Sequence, residues 1–205
     1  MQKESIMNQK NDFSGKYTKT GLAGNVLIKN FYSRMQKIVS PLEIRSVLEV
    51  ACGPGFSTEY LSQIFAGKDF EASEFDPELV EQAKTRNPNI KIITESIYNL
   101  NRNDNSFNLV AALEVLEHLQ EPEKAMHELV RVTNRYALIS VPNEPLWRIL
   151  NFMRGSYWQD SGNTPGHINH WSKNQFISFA EKFFIIKSVA SPLPWTIILG
   201  EKKHD

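Results

Sequence analysis

The chain is short of cysteine, of long apolar runs and of charge in excess of either sign, and each shortage removes a class of function. Cys52 is the single cysteine of 205 residues, so no disulfide forms within the chain and a cysteine-based zinc site has no ligand set. No stretch approaches the roughly 20 consecutive apolar residues of a membrane-spanning helix. Lys plus Arg and Asp plus Glu each number 23, which leaves no global field to attract nucleic acid or an anionic bilayer. The opening Met1-Gln2-Lys3-Glu4-Ser5 leads into polar sequence rather than an apolar signal core. What is present is ordinary for a folded domain: 41% hydrophobic and 22% charged residues. The length suits one well-buried α/β domain, residues 1–205. A soluble, cytoplasmic protein is expected, with no nucleic acid or membrane as partner, either monomeric or homodimeric.

The apolar pattern supports this. Ile28, Phe31, Tyr32, Met35, Ile38 and Val39 recur at helical spacing, so Val26–Val39 reads as an amphipathic helix that ends before Pro41. The polar residues before it, to about position 24, form an N-terminal tail whose first half is expected to be mobile. Strands are predicted over 45–51, 70–75, 90–94, 107–113, 136–141, 183–190 and 195–201. Helices fall between them over 57–65, 78–85, 123–132 and 173–182, with Pro77 and Pro122 at helix starts and Ser172 as a cap. This alternation implies a mostly parallel, seven-stranded sheet with helices on both faces, an α/β three-layer sandwich. The last two strands, joined at Pro192-Leu193-Pro194, make an antiparallel C-terminal hairpin.

Chemistry concentrates at Val47-Leu48-Glu49-Val50-Ala51-Cys52-Gly53-Pro54-Gly55. A buried strand ends on an acid and breaks into glycines just before a helix, a geometry that lets a nucleotide-type ligand press against the main chain. The dinucleotide fingerprint needs a third glycine where this chain has Phe56, and no Gly-Lys-Ser/Thr follows to make a phosphate loop.

The stretch instead resembles the first motif of the class I S-adenosylmethionine-dependent methyltransferases, with Glu49, Gly53 and Gly55 matching and Ala51 in place of the first glycine. The resemblance runs over roughly residues 45 to 142. Ser73-Glu74-Phe75-Asp76-Pro77 resembles the end of the second strand, with Glu74 about 20 residues past the turn, where an acid reads the ribose. Asn105-Ser106-Phe107-Asn108-Leu109-Val110 resembles the entry to the fourth strand, and Glu114-Val115-Leu116-Glu117-His118-Leu119 the segment lining the cofactor cleft. Ser96 and Ile97 stand where the family often has Asp-Ala against the adenine.

This resemblance implies a Rossmann-like fold and an enzyme that takes S-adenosyl-L-methionine, leaves S-adenosyl-L-homocysteine and methylates O, N or C of a small molecule. A methyltransferase acting on protein or nucleic acid, and a non-catalytic cofactor-binding protein, are the alternatives. The implied cofactor residues are Glu49, Ala51, Cys52, Gly53, Gly55, Glu74, Phe75, Ser96, Ile97 and Glu114. Cys52 is read as a packing residue, with no activating base evident.

His118 and His167 are the candidate catalytic residues, the second within a Gly-His-x-Asn stretch like that before the late helix in small-molecule branches of the family. No metal is expected: the spacing of His167 and His170 suits one, but no carboxylate cluster lies nearby in sequence. The cap helix within residues 1–45 and the loop region 142–171, with Trp147, Phe152, Tyr157 and Trp158, are expected to cover the acceptor.

Overall fold

The computed structural model describes residues 22–144, 146 and 166–203. Helix α1 (Leu22–Val39) precedes an alternating series: β1 (Ser46–Glu49), α2 (Phe56–Ile64), β2 (Asp69–Glu74), α3 (Pro77–Arg86), β3 (Lys91–Thr94) and β4 (Phe107–Leu113). Helix α4 (Pro122–Val132), β5 (Thr133–Pro142), α5 (Lys173–Glu181), β6 (Phe184–Ala190) and β7 (Trp195–Lys202) complete it. The strands form one sheet in the order β3-β2-β1-β4-β5-β7-β6. The first five run parallel, and β7 pairs antiparallel with both β5 and β6. This is the expected three-layer Rossmann-like sandwich. No helix among the described residues is long and apolar enough to cross a membrane.

Successive residues of the central strands feed opposite faces, as the period of two requires. Leu48, Val110, Ala137 and Ile139 join Met126 and Leu129 of α4 and Phe176 of α5 on one face. Val47, Leu109 and Leu138 join Met35 of α1 and Leu61 of α2 on the other. Both faces are covered, so these strands read as unbroken apolar runs.

Helix α1 is anchored in that core. Met35 is fully buried, Phe31 packs against Trp195 at 5.0 Å between ring centroids, and Tyr32 stacks on Tyr60 at 3.9 Å. In the N-terminal part of this helix Val26 is exposed. Trp147, Phe152, Tyr157 and Trp158 lie outside the described residues.

Local chemistry sets the boundaries. Asp76 caps α3 by accepting from the Glu78 amide at 2.8 Å, and Ser172 and Gln175 form a reciprocal capping box on α5. Strand β5 starts at Thr133, three residues before the expected Tyr136, because Thr133 is both the last cap of α4 and already extended (φ −74°, ψ 129°). Strand β1 stops at Glu49 because Ala51 turns left-handed, at φ 52°. Arg131 of α4 fixes the β3–β4 connection, donating to the carbonyls of Leu100 (2.8 Å) and Arg102 (2.7 Å) and to Asp104 (2.8 Å).

Between β6 and β7 the sheet tolerates no side chain at one position. A Cβ on Gly200 would lie 2.7 Å from Cβ of Phe184, itself fully buried. Gly200→Ala should cost about 1–3 kcal/mol by overpacking. Urea unfolding measures this, and an unchanged midpoint would contradict the packing described.

Candidate functional site

From β1 the chain proceeds to β2 on one side, while β4 lies on the other. The carboxyl ends of β1 and β4 are therefore neighbours across the point where strand order reverses, the place where open α/β sheets form their crevice. Backbone strain gathers here. Ala51 (φ 52°), after β1, and Glu114 (φ 59°), after β4, are both left-handed without being glycine, at roughly 1–2 kcal/mol each. The Glu114 conformation is held by its amide donating to the carbonyl (3.1 Å) and hydroxyl (3.2 Å) of Ser140, whose Oγ donates in turn to Oε1 of Glu114 at 3.1 Å.

The two glycines of the turn do different work. Gly53 has φ 56°, and nothing lies within 4 Å of where its Cβ would be, so its backbone is bare to the crevice. Gly55 has φ 81°, and its Cβ would lie 2.6 Å from Nδ2 of Asn87 and 2.9 Å from Cα of Ala83. Its missing side chain lets α3 close on the turn; it does not open space for a ligand. Buried Asn87 donates to the carbonyls of Gly55 (2.9 Å) and Ala83 (3.1 Å), and Arg86 donates to that of Pro54 at 3.2 Å.

Glu74, at the end of β2, clasps the turn from the side. Its Oε2 accepts from the Gly53 amide at 2.8 Å, and its Oε1 from the amides of Phe75 (2.7 Å) and Asp76 (3.0 Å). Each such charge-assisted bond contributes about 1.5–3 kcal/mol. Phe75, next in sequence, is 70% exposed, an unusual placement for a large apolar side chain.

Glu49 is only 1% exposed. Burial lifts its carboxyl from 4.5 to about 7; the nearby hydroxyls of Ser57 and Thr58 oppose the rise, and the charge of Glu74 adds to it. Those hydroxyls do not close bonds of good geometry: both Glu49 oxygens and the Thr58 hydroxyl lack a hydrogen-bond partner among the described residues. Burial, then the charges of Glu49 and Glu74, push the Cys52 thiol far above its ordinary value, so it is no thiolate nucleophile.

Ser96 follows β3, and its Oγ accepts from the Tyr98 amide at 3.3 Å. The Ile97 side chain is buried in the core, which leaves its backbone, not its side chain, for a ligand.

The histidines converge as a pair. His118 ends a short 3-10 turn, Leu116–His118, which follows β4 directly. The rings of His118 and His167 lie 4.8 Å apart, edge to face. Nδ1 of His118 bonds the Gly166 carbonyl at 3.0 Å, and Nδ1 of buried His167 bonds Oε1 of buried Glu144 at 2.7 Å. A carbonyl only accepts, so His118 carries its proton on Nδ1. Exposed His170 stands outside the pair. The carboxylates absent from the sequence neighbourhood of His167 are supplied by the fold, as Glu144 and Glu117. Sequence reasoning had not singled these out: Glu117 lies unmarked inside a recognised segment, and Glu144 has no local signal.

Residues 48–140 match the family model described as a methyltransferase domain. Over that stretch, a little under half of the chain, it is similar to methyltransferase domains. It is 34% identical over 121 residues to the demethylmenaquinone methyltransferase of Paenarthrobacter aurescens (strain TC1), across 55% of this chain and 47% of that enzyme. The chain thus spans about half the length of the curated relatives it matches, or less. Its fold is that of the protein PH0226 from Pyrococcus horikoshii OT3, with TM-score 0.72 and 16% identity over 94% of this chain and 97% of that one. It also resembles the magnesium protoporphyrin IX methyltransferase of Synechocystis PCC 6803, solved with bound S-adenosylhomocysteine (TM-score 0.63, 14% identity, 90% and 89% covered).

Two predictions concern this crevice. Below pH 4.5 Glu49 is protonated folded or unfolded; above it the unfolded chain ionises first, so Glu49 subtracts stability as pH rises toward about 7. Between pH 4.5 and about 8 the stability of Glu49→Gln should gain about 3 kcal/mol relative to wild type. Urea titrations of both proteins across that range measure the gap, and parallel curves would mean Glu49 titrates normally.

The glycines should separate. Gly55→Ala should cost roughly 3 kcal/mol or more through strain and the clash with α3. Gly53→Ala should cost only about 1–2 kcal/mol yet weaken S-adenosylmethionine binding at least about tenfold, about 1.4 kcal/mol. Thermal unfolding and calorimetry distinguish the two effects.

Proposed function

We propose that this chain transfers the methyl group of S-adenosyl-L-methionine to an O, N or C nucleophile of a small molecule. The observation that carries this reading is the bare backbone at Gly53, flanked by the buried carboxylates of Glu49 and Glu74 at the switch point of the sheet. A nucleoside with a cationic amino-acid arm fits that donor set. The orphaned oxygens of Glu49 suit an ammonium group, and the open space at Gly53 suits close approach to the main chain of Ala51, Cys52 and Gly53.

Glu74 holds the ribose. A carboxylate has about four lone-pair sites, and three are taken by backbone amides, so a site on Oε2 remains for one sugar hydroxyl. Exposed Phe75 offers an apolar face to the adenine, and Ser96 and the Ile97 backbone offer polar atoms to its edge. Gly55 acts indirectly, by seating the turn on α3, and Glu114 shapes the crevice through its strained backbone.

The cofactor's chemistry is a methyl group on a sulfonium, activated because its leaving group is a neutral thioether. What the protein adds is alignment of nucleophile, methyl carbon and sulfur, which can supply about 7–11 kcal/mol of barrier reduction. His118 and His167 stand on the acceptor side, where the acceptor's proton has to be managed. The quinone and porphyrin in the names of relatives support a small-molecule acceptor, and the balance of 23 basic and 23 acidic residues gives no support to nucleic acid.

The test pairs calorimetry with S-adenosylmethionine and a search for labelled products, using isotopically labelled methyl donor and cell extract. The expected outcome is micromolar binding and label in a low-mass product. Label in protein or RNA would overturn the substrate class, and binding without any transfer would make the chain a cofactor-binding protein.

A further inference from the structure

The acceptor side contains a group of side chains that methyl transfer by itself does not require. One carboxylate oxygen of Glu117 and one ring nitrogen each of His118 and His167 lie within 4.8 Å of one another. Two imidazoles and a carboxylate are a recurrent donor set for divalent transition metals. An edge between ligands bound at about 2.1 Å is about 3.0–3.4 Å, so the longest separation exceeds it by less than about 2 Å.

The surroundings are those of a metal site as well. Imidazole ligands ordinarily donate their second nitrogen to a carbonyl or carboxylate, which fixes tautomer and ring orientation. Here Nδ1 of His118 donates to the Gly166 carbonyl (3.0 Å), and Nδ1 of His167 bonds the Glu144 carboxylate (2.7 Å). In each ring the lone pair then sits on Nε2, the atom that would bind the ion. The two segments are fastened together, because the amides of Ile168 (2.9 Å) and Asn169 (3.0 Å) both donate to the Glu117 carbonyl. Nδ2 of Asn169 donates to the carbonyls of Leu116 (3.0 Å) and Leu119 (2.6 Å). Glu117 and Glu144 are 1% and 3% exposed, and a dication would balance both carboxylates.

We propose that Glu117, His118 and His167 bind a divalent transition-metal ion of the zinc or iron(II) class, with Glu144 and the Gly166 carbonyl orienting the rings, and that this ion holds and acidifies a hydroxyl of the acceptor. The binding half of the proposal stands alone; the acidifying half rests on the function proposed above. Two imidazole ligands disfavour magnesium and calcium, which prefer all-oxygen shells. In the step itself the hydroxyl gives its proton to water. A lone pair of the oxygen then forms the new bond to the methyl carbon as the carbon–sulfur bond breaks and its electrons return to sulfur. The ion lowers the acceptor's pKa, as it does that of bound water, so the histidines serve as ligands rather than bases.

The test is titration of the chelator-treated chain with cobalt(II), followed by its visible absorption, and with zinc(II) by competition. One equivalent is expected to bind. Glu117→Gln, His118→Ala and His167→Ala should each weaken it at least about 100-fold, and Glu144→Gln about 10–100-fold, with His127→Ala unchanged. Calorimetry with S-adenosylmethionine on the same variants shows whether the cofactor crevice is intact. Metal lost with cofactor binding retained is the expected pattern. Absence of stoichiometric metal in wild type, or affinity unaltered in His167→Ala and Glu117→Gln, overturns the site. If metal binds but the rate of transfer at pH 6 is the same with and without it, the acidifying role is overturned while the function itself survives. Failure of S-adenosylmethionine to bind wild type would sink the function and leave the metal result standing.

Discussion

The arrangement depends on holding a glycine turn open beside a buried sheet, and the carboxylate of Glu74 does this. Three backbone amides from two segments, Gly53 on one side and Phe75 and Asp76 on the other, converge on it. Without such an acceptor the amides at the end of β2 and in the turn would have to find water inside the crevice. Helix α3 braces the same turn from behind through Asn87 and Arg86. The turn is thus fixed on two sides and bare on the third, at Gly53, and the cost of ordering it is met in folding rather than in binding.

The acids at the carboxyl ends of β1, β2 and β4 show how one residue type is handled differently by place. Glu74 is ringed by amides. Glu114 is tied to Ser140 on a strained backbone. Glu49 has neither arrangement and is lifted to about 7 by burial, so a cation arriving there gains from completing it. The same field keeps Cys52 protonated, which separates this crevice from the thiolate sites that a lone cysteine in a glycine turn might suggest. A buried charge left incomplete is costly to stability; in a binding site that cost becomes selectivity for the ligand that completes it.

Most of the fold was legible because its signals are local or periodic. The apolar runs at Val47-Leu48 and Leu109-Val110, Pro77 and Pro122 at helix starts, and Ser172 before α5 each act within a few residues. The glycine turn and the acid that clasps it were legible for the same reason, since turn, acid and spacing lie within about 25 residues of chain. The packing of Gly55 was not legible, as its neighbour Ala83 is distant in sequence and only the fold shows which glycine lies against a helix and which against open space. The histidine pair was legible only in part. His118 and His167 stood out as chemical types, but their bonds to Gly166 and Glu144 span 48 and 23 residues. No periodicity encodes such a meeting.

The two halves are joined by one short piece of chain. Leu113 ends β4, Glu114 takes the left-handed turn, and Glu117 and His118 follow within a single 3-10 turn whose carbonyls are bonded by the 166–169 segment. Glu114 and His118 are therefore separated by three residues of tied backbone rather than by a movable loop. Methyl transfer asks for sulfur, carbon and nucleophile on one line, and displacements near 1 Å are enough to cost about 100-fold in rate. A rigid segment meets that tolerance without first ordering a cover, and the strain at Glu114 is understandable as the means of aiming Glu117 and His118 across the crevice. On this view the fold itself sets the reaction geometry, and whatever covers the acceptor is left to choose which molecule enters.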